Sequence, residues 1–179
     1  MARILIVYYS RSGYTRRVGR MLARRLGADV DEIKIVQPVR GPLGYALSAI
    51  EALAEITPSV QPALKSPKGY DCIVVGTPVW FWSLSSPVRA WLAQNRIRGA
   101  RFAFFCTMGG SGSGRVFAAM AKLAKAKPIA TLALTDDELD AHDTAKLDAF
   151  VAAVKRNAPA RARRMRRATR GRAEQRIAA

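Results

Sequence analysis

Short β-branched runs alternate along this chain with longer segments whose apolar residues recur at helical spacing. The runs predict five strands, at residues 4–9, 30–36, 72–77, 102–107 and 129–134. The segments between and after them predict five helices, over 14–26 and 43–56, after Ser86 and Pro87, through 116–123, and over 144–154. Strict alternation of this kind predicts one parallel sheet with helices on both faces. The third strand is the most hydrophobic, so we expect it to be central.

Turn and cap signals divide these elements. Gly27 is placed to end the first helix, and a loop rich in proline and serine follows the second helix over residues 58–68. The acidic stretch 136–140 is interpreted as a solvated turn, and Asp143 as the N-cap of the last helix. No internal repeat indicates a solenoid or a propeller.

Length and composition predict one domain with an appendage. Half of the 179 residues are apolar, enough for one sizeable core. No apolar run approaches the roughly 18 residues of a membrane span, and the start MARILIVYYS is typical of a strand rather than a signal peptide. We therefore expect a soluble, untargeted, cytoplasmic protein with a folded domain over residues 1–157.

The net charge of +17 is concentrated at the C-terminal end. Residues 155–179 contain ten lysines and arginines against one acid, Glu174, which accounts for about half of the excess. An arginine-rich run with little apolar content cannot offset its ordering entropy by burial. We expect residues 158–179 to form a flexible basic tail that either contacts anionic surfaces, such as nucleic acid or a membrane, or merely aids solubility.

The remaining reactive side chains favour no metal site and no catalytic triad. Cys72 and Cys106 lie in apolar runs without a CxxC spacing, which is typical of buried thiols in a reducing compartment. The one histidine, His142, lies beside the acidic stretch and is interpreted as a surface or capping residue. Any redox or group-transfer chemistry would then have to come from a cofactor.

The most informative motif joins the first strand to the first helix, in the residues SRSGYT at 10–15. Three hydroxyls and a glycine surround a helix N-terminus, where free N–H groups and the helix dipole favour a phosphate. Neither GxxxxGK[ST] nor GxGxxG is present. The alternative is a serine-rich turn that only caps the helix.

Two stretches resemble a known family. YYSRSGYT is similar to the phosphate loop of flavodoxins, TxTGxT, and the wider signature over 6–22 departs only at Gly19, where the family usually has alanine. GTPVWFWSLSSPVRAWL is similar to GTPVY…PVRAFL of bacterial flavodoxin-like proteins and reductases. The resemblance covers about residues 1–155. It implies a flavodoxin-like three-layer α/β/α sandwich, a five-stranded parallel sheet of order 2-1-3-4-5, and FMN as cofactor.

Two further loops reach the same edge of such a sheet. Ligands of doubly wound sheets bind at the carboxyl ends of the strands that flank the reversal in strand order. There the third strand leads into an aromatic run, whose alternation predicts Trp80 and Trp82 on one side and Phe81 on the other, although these rings could instead belong to the core. The fourth strand leads into a glycine-rich run over 109–114 that is either a flexible turn or a close backbone approach to the ring.

The candidate FMN-binding residues therefore lie on three loops. They are Ser10, Arg11, Ser12, Gly13, Tyr14 and Thr15 in the first loop, Thr77, Pro78, Val79, Trp80, Phe81 and Trp82 in the second, and Thr107, Met108, Gly109, Gly110 and Gly112 in the third. Arg16 and Arg17 lie nearby and are interpreted as solvated helix residues.

Two electron-transfer roles stay open. In the first, the protein is an oxidoreductase that takes hydride from NAD(P)H and passes electrons to a quinone-type acceptor. In the second, it is a one-electron carrier between a reductase and a redox-protein acceptor. Two features disfavour the carrier. Flavodoxins are typically acidic, whereas this chain is basic. Their second loop also commonly contains a glycine whose peptide flips to stabilise the semiquinone, and here no glycine follows Pro78 until Gly99. The oligomeric state is left open, with a homodimer as one alternative.

Overall fold

The computed structural model describes residues 2–36, 60–95, 97–141 and 144–158. Strands and helices alternate along these segments. In chain order they are β1 (Ile4–Tyr8), α1 (Tyr14–Leu26), β2 (Asp29–Glu32), β3 (Cys72–Trp80), β4 (Ser83–Leu84), α2 (Ser86–Gln94), β5 (Arg101–Met108), α3 (Ser113–Ala124), β6 (Thr131–Thr135), α4 (Asp136–Asp140) and α5 (Ala145–Asn157). No helix within these ranges has the length and apolar character needed to cross a bilayer.

Five of the strands form one parallel sheet in the order β2-β1-β3-β5-β6. Counting the parallel strands alone, this is the predicted order 2-1-3-4-5, and β3 is central as expected. The short strand β4 stands outside this path, because it pairs antiparallel with the end of β3. The order reverses between β1 and β3, so the carboxyl ends of these two strands flank the position where such sheets bind ligands.

The sheet is buried on both faces, which explains the continuous apolar runs of its central strands. Alternate residues of β1 face opposite layers. Ile6 packs in the cluster that includes Val18 of α1 and residues of α5, whereas Val7 packs in the cluster that includes Val88 of α2 and residues of α3. The predicted three-layer sandwich is confirmed.

Several predicted boundaries differ from the observed ones. β2 ends at Glu32 rather than at residue 36, because its partner β1 ends at Tyr8 and the following residues turn to bridge Ile35 with Val60. The acidic stretch is the helix α4, not a turn, since Thr135 and Glu138 form a reciprocal capping box at its start. The predicted helix over 43–56, Asp143, His142 and the tail from 159 onward lie outside the described residues.

Gly19, the departure from the family signature, is explained by Tyr8. A Cβ added to Gly19 would lie 2.5 Å from Cδ1 of the Tyr8 ring, closer than non-bonded carbons approach. Both residues are buried, and α1 packs on β1 at this point. A large ring on the strand and a missing side chain on the helix therefore complement each other.

We expect Gly19→Ala to destabilise the protein by about 1–2 kcal/mol, because overpacking outweighs the gain in helix propensity. The free energy of unfolding from chemical denaturation measures this. In a Tyr8→Val background the same change should be neutral or stabilising. Gly114→Ala is the matched control, since Gly114 also lies in a helix but nothing stands within 4 Å of its added Cβ. Equal losses in both Tyr8 backgrounds would contradict the explanation.

Candidate functional site

The N-terminus of α1 is open toward the carboxyl edge of the sheet. Its N-cap is Gly13, with φ 106° in the left-handed region, and no side chain caps the helix. The first turn contains no acidic residue that would oppose an anion. The N–H groups of this turn and the positive end of the helix dipole thus favour a phosphate.

Ser10 gives a second, independent reason to expect a polar ligand at this loop. The residue is only 8% exposed, and its Oγ has no hydrogen-bond partner among the residues that the structure describes. A buried hydroxyl without a partner is costly unless a ligand completes it. The FMN phosphate fits this position, because its oxygens accept hydrogen bonds from hydroxyls and amides. Ser12, two residues on, is exposed.

Thr15 joins the first loop to the end of β5. Its Oγ1 lies 2.8 Å from Oγ1 of Thr107, and both side chains are buried. Only one of the two protons is used in this bond, so the accepting hydroxyl keeps its own proton for a second partner. This contact fixes the distance between the first and third loops.

The cations and the tyrosine of the first turn have partners within the protein. Arg16 forms a forked ion pair with Glu32, which raises the pKa of its guanidinium. Asp140 pairs with Arg17 and accepts a hydrogen bond from the Tyr14 hydroxyl, and its charge raises the pKa of that tyrosine. The Tyr14 hydroxyl is thus bonded within the protein, and its backbone lies in the first turn of α1.

The second loop is a tight hairpin rather than a continued strand. β3 and β4 pair through Trp80 and Ser83, and the two residues between them, Phe81 and Trp82, both have positive φ, 48° and 57°. The predicted alternation is therefore wrong: Trp80 is buried and packs edge-on against Tyr9 at 5.6 Å, whereas Trp82 is 59% exposed.

Thr77 braces this hairpin instead of facing a ligand. Its side chain is fully buried, and its Oγ1 lies 2.8 Å from Oγ of Ser85 at the start of α2. Pro78 and Val79 are half-buried in β3, with Val79 facing the third loop.

A cleft of about 310 Å³ opens between the second and third loops. This volume is at the lower end of the range for small-molecule sites. Its lining combines aromatic and apolar side chains with exposed backbone, as a flat aromatic ring requires. The lining residues are Val79, Phe81, Trp82, Met108, Gly109, Gly110 and Ser111.

The third loop contains one cleft residue outside the predicted set, Ser111, and one predicted residue that does not line the cleft, Gly112. Ser111 was not among the candidates, yet it lines the cleft and accepts a hydrogen bond from the Trp82 indole at 2.9 Å. Gly112 faces the hairpin rather than the cleft, because an added Cβ would lie 3.0 Å from Cα of Trp82. In the sequence, only its position between Gly110 and Gly112 indicates that Ser111 could contribute a hydroxyl to this site.

Fifteen of the seventeen candidate residues separate into three groups, and the other two, Arg11 in the first loop and Pro78 in β3, are half-buried. Ser10, Ser12, Gly13 and Thr15 lie at the N-terminus of α1, where a phosphate would bind. Val79, Phe81, Trp82, Met108, Gly109 and Gly110 line the cleft between the second and third loops. The residues of a third group pack against other residues or form hydrogen bonds within the protein. These are Tyr14, Thr77, Trp80 and Thr107, together with Gly112.

The parallel sheet with its reversal in strand order and helices on both faces defines a doubly wound α/β protein. The sequence model of the flavodoxin family matches residues 3–151, so the chain belongs to the flavodoxin family. Among curated proteins no sequence matches it.

Solved structures share this fold. A flavoprotein from Lactobacillus acidophilus NCFM, in complex with FMN, is 23% identical with a TM-score of 0.66, covering 79% of this chain and 98% of that one. A protein described as a flavoprotein, from Bacteroides eggerthii DSM 20697, is 21% identical with a TM-score of 0.72, covering 89% and 99%. Oxidised flavodoxin 1 from Bacillus cereus is 13% identical with a TM-score of 0.53, covering 88% and 100%. Membership of the flavodoxin family agrees with FMN as the predicted cofactor.

The two thiols, which lie in β3 and β5 of this sheet, are expected to be inert. Burial raises the pKa of Cys72 and of Cys106 to about 12, and both are unpaired. Native protein at pH 8 should therefore not react with an aromatic disulfide reagent over minutes, because almost no thiolate is present and access is blocked. The absorbance of the released thiol measures this, and denatured protein should release two equivalents. Rapid release from native protein would contradict the buried placement.

Proposed function

We propose that this chain binds FMN and transfers electrons through it, taking them from NAD(P)H and passing them to a quinone-type acceptor. The observation that supports it best is the juxtaposition at one sheet edge of a phosphate cradle and a ring-sized cleft. Ser10 and the first turn of α1 make the cradle, and the loops after β3 and β5 make the cleft. When bound, FMN would supply the redox chemistry.

The protein's own residues would bind and orient this group. The N–H groups at the start of α1 and the Ser10 hydroxyl would hold the phosphate, and Phe81 and Trp82 would offer flat apolar surface to the ring. The exposed glycines Gly109 and Gly110 leave backbone N–H and C=O groups accessible beside the cleft, suited to the polar edge of the ring.

Local charge favours an anionic electron donor. The three candidate loops, at 10–15, 77–82 and 107–112, contain the cation Arg11 and no acidic residue. The carboxylate of Asp140, which contacts Tyr14 of the first loop, is paired with Arg17. The nicotinamide nucleotides carry phosphates and would be attracted to such an edge. A basic redox protein, in contrast, would be repelled.

A one-electron carrier is the second candidate. Phe81 and Trp82 are 44% and 59% exposed at the rim of the cleft, and exposed aromatic residues of this kind also serve as docking surface for a protein partner. In that role the chain would exchange electrons with a reductase and a redox-protein acceptor and would not oxidise NAD(P)H.

The organisation outside the site also forms part of the proposal. We place the domain at residues 1–157 in the cytoplasm, a compartment in which the unpaired Cys72 and Cys106 stay reduced. The basic segment 158–179 would contact anionic surfaces without contributing to the flavin site.

The phosphate cradle is tested with Ser10→Ala. We expect the affinity for FMN to fall about 10- to 100-fold, because a hydrogen bond to a charged phosphate is lost, while the affinity for riboflavin is unchanged. Quenching of flavin fluorescence on titration of apoprotein measures both affinities. Ser66→Ala, in an exposed loop away from the site, is the control. Equal losses for FMN and riboflavin would place Ser10 elsewhere than at the phosphate.

The electron donor is tested by anaerobic reduction. If the proposal is right, NADPH or NADH bleaches the flavin absorbance of the FMN-loaded protein, and a soluble quinone restores it. Dithionite is the control that shows the flavin to be reducible. Bleaching by dithionite but not by either nicotinamide nucleotide would favour the one-electron carrier instead.

A further inference from the structure

The turn at the tip of the hairpin is occupied by residues that such a turn disfavours. Two-residue hairpin turns with both central residues at positive φ are normally formed by Asn-Gly or Gly-Gly. Here the central residues are Phe81 and Trp82, at φ 48° and 57°. Bulky side chains in the left-handed region persist only where the surrounding structure holds them.

Contacts on the strand side hold the base of this turn but not its tip. Trp80 is buried against Tyr9, and Leu84 is 1% exposed, so both strands of the hairpin are anchored. The rings of Phe81 and Trp82 extend beyond these anchors into solvent. The placement of the Trp82 ring must therefore depend on contacts outside the hairpin.

The third loop provides these contacts. The Trp82 Nε1–H donates a hydrogen bond to Oγ of Ser111 at 2.9 Å. Gly112 packs directly against the backbone of Trp82. A Cβ at Gly112 would lie 3.0 Å from Trp82 Cα and 3.2 Å from its Cδ1, so the missing side chain permits the close approach. One polar bond and one backbone contact thus connect the two walls of the cleft.

We propose that Ser111 is a positioning residue, whose hydroxyl holds the Trp82 indole as a preformed wall of the ring-binding cleft. Without this bond, a turn at unfavourable φ would face a loop containing four glycines in six residues, and only the backbone contact at Gly112 would connect the two walls. Preorganisation of this kind raises affinity by reducing the ordering cost of binding. The inference rests on the proposed function, because it assumes that the cleft receives the flavin ring.

A double-mutant cycle tests the proposal. We expect Ser111→Ala to weaken FMN and riboflavin equally, by about fivefold, because the contact serves the ring and one neutral hydrogen bond is lost. Trp82→Phe removes the indole N–H and some ring area, so it should weaken both flavins at least as much. Ser111→Ala added to Trp82→Phe should cause no further loss. Additive losses would overturn the proposal.

Two variants separate positioning from a general effect on the loop. Ser111→Thr keeps the hydroxyl and should retain wild-type affinity. Ser113→Ala removes a hydroxyl two residues away that has no hydrogen bond within the described segments, and it should also bind as wild type. Loss of affinity in Ser113→Ala equal to that in Ser111→Ala would contradict a specific role for Ser111.

A measurement on apoprotein makes the test independent of flavin binding. The chain has three tryptophans, hence three indole N–H signals in a ¹⁵N-correlated NMR spectrum. Ser111→Ala should shift the Trp82 signal and speed its hydrogen exchange, leaving those of buried Trp80 and Trp91 unchanged. An unchanged Trp82 signal would overturn the inference. If wild-type protein bound no flavin, the proposed function would fail while this experiment still decided whether Ser111 holds Trp82.

Discussion

The constraint on which the rest of this molecule depends is the burial of β1, β3 and β5 on both faces. Because helices cover both sides of the sheet, these strands can carry only apolar side chains along most of their length. Polar groups are then concentrated where the strands end. Three strand ends meet at one edge, and a single buried hydroxyl pair, Thr15 with Thr107, fixes the first loop against the third. The phosphate cradle and the ring cleft are consequences of that arrangement.

Close packing at two glycines supports this edge from within. Gly19 makes room for the ring of Tyr8 below the phosphate loop, and Gly76 makes room for the ring of Phe105, which lies 2.0 Å from where a Cβ would be. The Tyr8 ring on β1 fills the space left by Gly19 on α1, and the Phe105 ring on β5 fills the space left by Gly76 on β3. The departure from the family pattern at Gly19 is therefore compensated by the large side chain of Tyr8, which fills the space.

The two ends of the site differ in how they are preorganised. The phosphate end relies on regular structure, since a helix N-terminus and one buried hydroxyl need no further contact to favour an anion. The ring end relies on contact between two irregular loops, one a strained aromatic turn and the other rich in glycine. Function at the ring end is accordingly more sensitive to single contacts, and differences in donor and acceptor among relatives of this fold are expected to arise there.

The sequence by itself determined the alternation of strands and helices and the three loops, because hydrophobic periodicity and cap residues act locally. The strand order was implied by the resemblance to flavodoxins, whose motifs lie at the strand ends. The sequence also identified Ser10, Gly13 and the aromatic run as candidates. Only the tertiary structure decided which way those side chains face. The Trp80 and Trp82 alternation failed because a two-residue turn reverses the chain, and Ser111 was missed because its partner lies 29 residues away. Such contacts follow from how loops meet in space, which no local pattern encodes.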